Sequence, residues 1–169
     1  MSIASIVEET ARAVAWLARE GRANGAGADR IVVGGHSAGG HLAAMMLARD
    51  WRADGFASCP VAAGLSLSGV HDLRPLVRFS GNADFKLDDA EAARLSPALM
   101  RPTTDAPLAI AVGGAETGEF LRQAQLMWDA WPINRPAGMV GPLVVPGKHH
   151  FDVVAEPGSA LARATLALF

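Results

Sequence analysis

One cysteine, Cys59, stands in a chain of 169 residues. An internal disulfide framework is excluded, and the thiol reads as a small buried apolar group suited to a reducing compartment. No basic block interrupts the sequence, and the formal net charge is only −2. Nucleic acid and membrane surfaces are therefore not expected partners. No apolar run reaches membrane-spanning length. The N-terminus lacks a basic segment followed by an apolar stretch, so no secretory signal is read and a cytoplasmic location is expected. Internal repeats, low-complexity tracts and domain linkers are missing as well.

What is present is a globular composition, with 50% hydrophobic residues, enough for one domain with a core. Residues 2–20 place Ile3, Ile6, Val7, Val14 and Leu17 at helical spacing, and Ser5-x-x-Glu8 offers a capping box. After a glycine-rich loop over 21–29, Ile31-Val32-Val33-Gly34 reads as a buried strand. Gly39 to Arg49 reads as a helix, and Val61–Ser68 as a second strand. Residues 71–87 look irregular; Asp88-x-x-Glu91 caps a short helix that Ser96-Pro97 ends. Pro107 to Val112 is a third strand. Phe120, Ala124, Met127 and Trp131 line one face of a helix that stops at Pro132. Leu143-Val144-Val145 is a fourth strand, and Ser159 opens a last helix.

Strands alternating with helices predict an α/β fold: about four parallel strands, buried on both faces and flanked by helices. Ligands in such sheets bind at the carboxyl ends of strands. The first such end holds Gly35-His36-Ser37-Ala38-Gly39, a G-x-S-x-G pattern between a strand and a helix. A serine on that turn has its hydroxyl lifted clear of the sheet, and small residues two positions either side avoid a clash. The helix then aims its N-terminus at the site, with the Ala38 amide as an oxyanion donor. The third strand end offers Glu116 and Glu119, carboxylates able to orient a base histidine. The fourth offers His149 and His150. Asp72, after the second strand, is another candidate acid, though also a natural turn residue.

Other readings lack support. His36 and His41 are five apart and His149 and His150 adjacent, so neither pair has the spacing of a helical zinc site. No cofactor is expected, since no dinucleotide-binding or P-loop pattern occurs. His36 reads as a pocket wall, His41 as a helix residue near the site, and Trp51, Trp128 and Trp131 as core or pocket residues.

The stretches GGHSAGGHLAAMMLARDW (34–51), LSGVHDLRPL (67–76), LSPAL (95–99), VGGAETGEFLRQAQLMWDAW (112–131) and KHHFDVV (148–154) resemble the α/β-hydrolase superfamily. Within it they are similar to the kynurenine formamidase (arylformamidase) group and related small-acyl esterases. The order serine, acid, histidine along the chain is that of α/β-hydrolases. The resemblance implies Ser37 as nucleophile, Glu116 as acid where an aspartate is usual, and His150 as base. It implies acyl-enzyme hydrolysis of an ester or aryl-formamide, with N-formylkynurenine giving kynurenine and formate. The superfamily also has an H-G-G-type loop and several strands ahead of the nucleophile. No H-G-G occurs here, and the Ser37 turn comes early. Residues 1–169 are thus expected to be a single domain, the C-terminal portion of a hydrolase catalytic domain, impaired alone. The first strand would then be an edge open to a second copy or another sheet-completing partner. A non-catalytic binding module is the alternative to a small-acyl hydrolase.

Overall fold

The structure is a computed structural model and describes residues 2–154. Helix α1 (Ile3–Glu20) leads to strand β1 (Ile31–His36), helix α2 (Ala38–Ala48) and strand β2 (Val61–Leu67). The short helices α3 (Asn82–Phe85) and α4 (Asp89–Arg94) precede β3 (Leu108–Gly113), helix α5 (Gly118–Ala130) and β4 (Leu143–Val145). The four strands form one sheet in the order β1-β2-β3-β4, with every pair parallel. Among the described residues, β1 and β4 are its two ends. The helix expected from Ser159 lies outside the described residues.

Two expectations change. Helix α1 is capped by Ser2, whose hydroxyl accepts from the Ser5 amide at 3.1 Å. Ser5 sits inside the first turn and returns its own hydroxyl to the Ser2 carbonyl. Glu8 is drawn away to Arg49, at 2.7 and 3.0 Å, so the Ser5–Glu8 box does not form. The second change is in residues 71–87, which are more ordered than expected: a 3₁₀ turn at Arg74–Arg78 and α3 lie within them. Asp88 does cap α4, accepting from the Glu91 amide at 2.7 Å.

Strand β3 shows how the core is divided. Leu108, Ile110 and Val112 face a cluster that includes Val7, Ala11, Met46, Leu47, Met127 and Trp128 from the helices. Ala109 and Ala111 face the other side, where smaller clusters hold Ala63, Leu67 and Val153. Every residue of β3 is buried, which is why it reads as a continuous apolar run rather than an alternating one. Helix α2 is buried from residue 43 to 48 for the same reason, lying between the sheet and α1. Trp51 and Trp131 are buried with their indole N–H groups on the carbonyls of Met46 and Met100. Cys59 is half-buried, and burial pushes its thiol up, away from reactivity.

The chain after β2 is held by buried polar groups. Gln123 of α5 accepts from the amides of His71 and Asp72, each at 2.8 Å, and donates to the Asp72 carbonyl at 3.0 Å. The His71 Nε2 lies 3.1 Å from Ser66 Oγ. His71 is fully buried, and loss of hydration pushes its imidazole down to about 3. His41, bonded through Nε2 to the Leu95 carbonyl at 2.7 Å, is lowered by burial too. An unfolded histidine takes up a proton below its ordinary value of 6.5, whereas folded His71 does not until about 3. Its contribution to stability is full above that ordinary value and is lost as the pH falls toward the folded value. We expect stability at pH 5 to be about 2 kcal/mol below that at pH 7.5 from His71 alone. Urea midpoints at the two pH values measure this. An unchanged midpoint, or an equal drop in His71→Gln, would contradict it.

Candidate active site

Strand β1 runs into α2 through Ser37, whose backbone has φ 57° and ψ −118°. A non-glycine residue at positive φ is strained, and the strain here lifts the side chain out of the sheet at the strand end. The turn is pinned by the Ser37 amide, which donates to the Leu67 carbonyl of β2 at 2.9 Å. The first amides of α2, beginning with Ala38, point outward from the helix N-terminus, where no intrahelical acceptor exists.

The glycines divide this work differently from the sequence expectation. A Cβ on Gly35 would lie 2.4 Å from the Gly39 carbonyl carbon, so Gly35 is required. A Cβ on Gly39 would meet no described atom within 4 Å beyond its chain neighbours and its own helix backbone. Crowding falls instead on Gly40, where a Cβ would come within 2.6 Å of Ser66 Oγ and 2.9 Å of Gly69 Cα. The sequence pattern names positions two either side of the serine, but the helix turns its next residue, not Gly39, against β2. We therefore expect Gly35→Ala to destabilise the fold by about 3 kcal/mol, as overpacking against backbone does. Gly39→Ala, a helical position in open space, should stabilise by up to about 1 kcal/mol. Urea unfolding of the two variants would reveal equal effects if this division of roles were wrong.

Ser37, Glu116 and His150 are brought together in one hydrogen-bonded line. The His150 Nδ1 lies 2.7 Å from Glu116 Oε2, and its Nε2 lies 3.1 Å from Ser37 Oγ. A carboxylate can only accept, so the ring proton sits on Nδ1 and Nε2 is left to accept from the serine hydroxyl. The Glu116 side chain is fully buried, and its other oxygen, Oε1, accepts from Ser68 Oγ at 2.5 Å and the Gly113 amide at 2.8 Å. Gly113 must be glycine for this approach, since a Cβ would strike the Lys148 carbonyl oxygen at 2.3 Å.

The other candidates lie elsewhere. Asp72 is gripped by Arg74, with Nε and Nη2 each at 2.9 Å, and also accepts from the Arg74 amide. The guanidinium holds its carboxyl below the usual carboxylate range, and Asp72 bonds to no histidine among the described residues. Glu119 pairs with Arg122 and Gln123. His149 is exposed and faces Asp152, 3.3 Å from Oδ2. His36 does not line the cavity beside Ser37; its ring lies 4.5 Å from that of His150. Three contacts were not foreseen: Ser68 on Glu116, His36 against His150, and Phe120 stacked 4.2 Å from His150. Among the described residues no group of three or more His, Cys, Asp or Glu side chains could hold a metal ion.

A cavity of about 460 Å³ adjoins Ser37 and Ala38, walled by apolar side chains including Leu42, Leu73, Phe79 and Phe85. A second depression, about 670 Å³, is walled by Asp72, Arg74, Glu119 and Arg122 and includes none of Ser37, Glu116 and His150. The apolar cavity is the one that meets the hydrogen-bonded line. No helix among the described residues is long and apolar enough to cross a membrane.

The family described as alpha/beta hydrolase fold matches residues 3–124. The chain is 31% identical to kynurenine formamidase of Salmo salar over 129 residues, 72% of this chain and 42% of that protein. It is 32% identical to the Danio rerio protein of the same name over 57% of this chain and 34% of that one. Among solved structures, a Silicibacter protein provisionally named a thioesterase superposes with TM-score 0.76 at 34% identity, over 96% of this chain and 58% of that chain. The propionate-bound thermophilic esterase Est2 of Thermogutta terrifontis superposes with TM-score 0.61 at 26% identity, over 99% of this chain and 63% of that one. The chain thus spans less than two thirds of the length of each.

Proposed function

Because the chain belongs to the alpha/beta hydrolase fold family, we propose that it transfers small acyl groups to water through an acyl-enzyme on Ser37. The single observation that carries this reading is the unbroken line Ser37–His150–Glu116, at 3.1 and 2.7 Å. Its other support is the matched family and the esterase-fold neighbours.

The chemistry follows from the geometry. His150 Nε2 takes the hydroxyl proton as Ser37 Oγ attacks the carbonyl carbon. The buried Glu116 carboxylate stabilises the imidazolium and holds the useful tautomer. The negative charge on the former carbonyl oxygen meets the Ala38 amide and the positive end of α2. The tetrahedral intermediate then collapses, the bond to nitrogen or oxygen breaks, and the imidazolium protonates the leaving group. Water, deprotonated by the same nitrogen, attacks the acyl carbon and releases the acid, restoring Ser37.

For substrate we propose an aryl-formamide, N-formylkynurenine, split to kynurenine and formate. The likeness to the two fish formamidases supports this choice, and an apolar cavity bearing Phe79 and Phe85 suits an aryl leaving group. A short-acyl carboxylesterase is the second reading, favoured by the likeness to the propionate-bound esterase. A fluorophosphonate probe should label Ser37 and leave Ser37→Ala unlabelled. Faster turnover of short-chain nitrophenyl esters than of N-formylkynurenine would select the second reading. No labelling, with a stoichiometric complex to another protein, would select a binding module over either enzyme.

A further inference from the structure

His150 occupies a loop beyond β4, not a helix or strand. Its side-chain hydrogen bonds go to Ser37 and Glu116. The first of these is surrendered each time Ser37 carries an acyl group, so it cannot keep the ring in register through a full cycle. Something outside the reacting line must hold the imidazole, because a displacement of about 1 Å costs on the order of a hundredfold in rate.

Two rings lie close enough to do so. Phe120 of α5 stacks at 4.2 Å with an interplanar angle of 28°. His36 of β1 packs at 4.5 Å with an angle of 42°. Among the described residues the His36 Nε2 is buried without a partner. That bare nitrogen has a cost, since a buried polar atom without a partner loses its hydration for nothing. An apolar residue would avoid it. Beside Ser37 on a strand, His36 ties the loop histidine to the element that carries the serine.

We propose that His36 is a positioning residue for His150, using its ring contact to keep Nε2 aimed at Ser37. The role rests on the reading of Ser37 and His150 as the reacting pair. His36 must stay neutral for it, since two facing imidazolium rings would repel. Burial, with the nearby His150, holds it below the ordinary histidine value.

The test uses the full chain with three variants: His36→Ala, His36→Phe and His36→Asn. The first readout is the rate of fluorophosphonate labelling at Ser37. The alanine variant should be slowed about tenfold. The phenylalanine variant, which restores a ring, should recover most of that loss, and asparagine should not. The second readout needs no turnover: the far-downfield proton resonance of His150 Nδ1–H on Glu116. It should persist in wild type and His36→Phe and broaden in His36→Asn and His36→Ala. If alanine prevents folding, the phenylalanine–asparagine contrast carries the same decision. A wild-type labelling rate and a sharp resonance in the alanine or asparagine variant would overturn the proposal. So would a phenylalanine variant no better than alanine. A wild-type chain that shows the resonance but is never labelled defeats the hydrolase reading instead, and the resonance still decides the role of His36.

Discussion

Ser37→Ala is expected to lower turnover of a reactive ester by about 10⁶-fold and to remove the covalent intermediate altogether. The expectation rests on what remains when Oγ is gone. His150 Nε2, 3.1 Å from that oxygen in the wild type, then has no hydroxyl proton to accept. In the proposed mechanism the Ala38 amide and the cavity would then have no nucleophile to serve. His150→Ala should cost nearly as much, because Ser37 then keeps its proton at neutral pH. The double variant should be no worse than either single one, since both groups act in one step and their effects are not additive. His149→Ala is the control. Its ring is exposed and turned toward Asp152, so activity should fall less than threefold on the rough scale of surface substitutions. Burst-phase kinetics with a nitrophenyl ester distinguish these outcomes. A Ser37→Ala variant that keeps a tenth of the wild-type rate, or a His149→Ala variant as damaged as His150→Ala, would sink the assignment.

Much of this was legible before the structure, for a physical reason. Strands covered on both faces must be apolar throughout, and β3, buried at every residue, shows as the run from Leu108 to Val112, whereas β1 is buried only at Ile31 and still opens on the run Ile31-Val32-Val33. Ligand-facing groups in a parallel sheet gather at strand ends, and Ser37, Glu116 and His150, which meet in one hydrogen-bonded line, each lie just beyond a strand. What escaped was whatever depends on contact across the fold. Ser68 meets Glu116 across 48 residues, and His36 meets His150 across the same divide that separates Ser37 from it. Neither contact leaves a periodicity or a motif. The Ser2 cap was missed for a different reason: Ser5-x-x-Glu8 satisfies a capping pattern on paper, but Glu8 has a stronger partner in Arg49. The G-x-S-x-G pattern points to Gly39 because it counts residues, whereas crowding falls on Gly40, the one that faces β2.

Glu116→Gln should lower turnover by about 10⁴-fold while leaving the fold intact. The glutamine is nearly the same size as the glutamate it replaces, so the size of the loss depends on which way its amide turns. One carboxylate oxygen, Oε1, accepts from two donors, Ser68 Oγ at 2.5 Å and the Gly113 amide at 2.8 Å. The Gly113 amide can only donate, so the glutamine carbonyl is forced to that side. The NH₂ is left facing His150 Nδ1, where Oε2 had accepted at 2.7 Å. Nδ1 must then become the acceptor, which moves the ring proton to Nε2. With its proton there, Nε2 donates toward Ser37 instead of accepting from it, and the base is lost without moving an atom. Glu116→Asp keeps the charge but is shorter by one methylene, so it should lose less than Glu116→Gln. The measurement is kcat for both variants beside the labelling rate at Ser37. A glutamine variant within tenfold of wild type would show that the carboxylate is not what sets the tautomer, and a larger loss in the aspartate variant would place distance above charge.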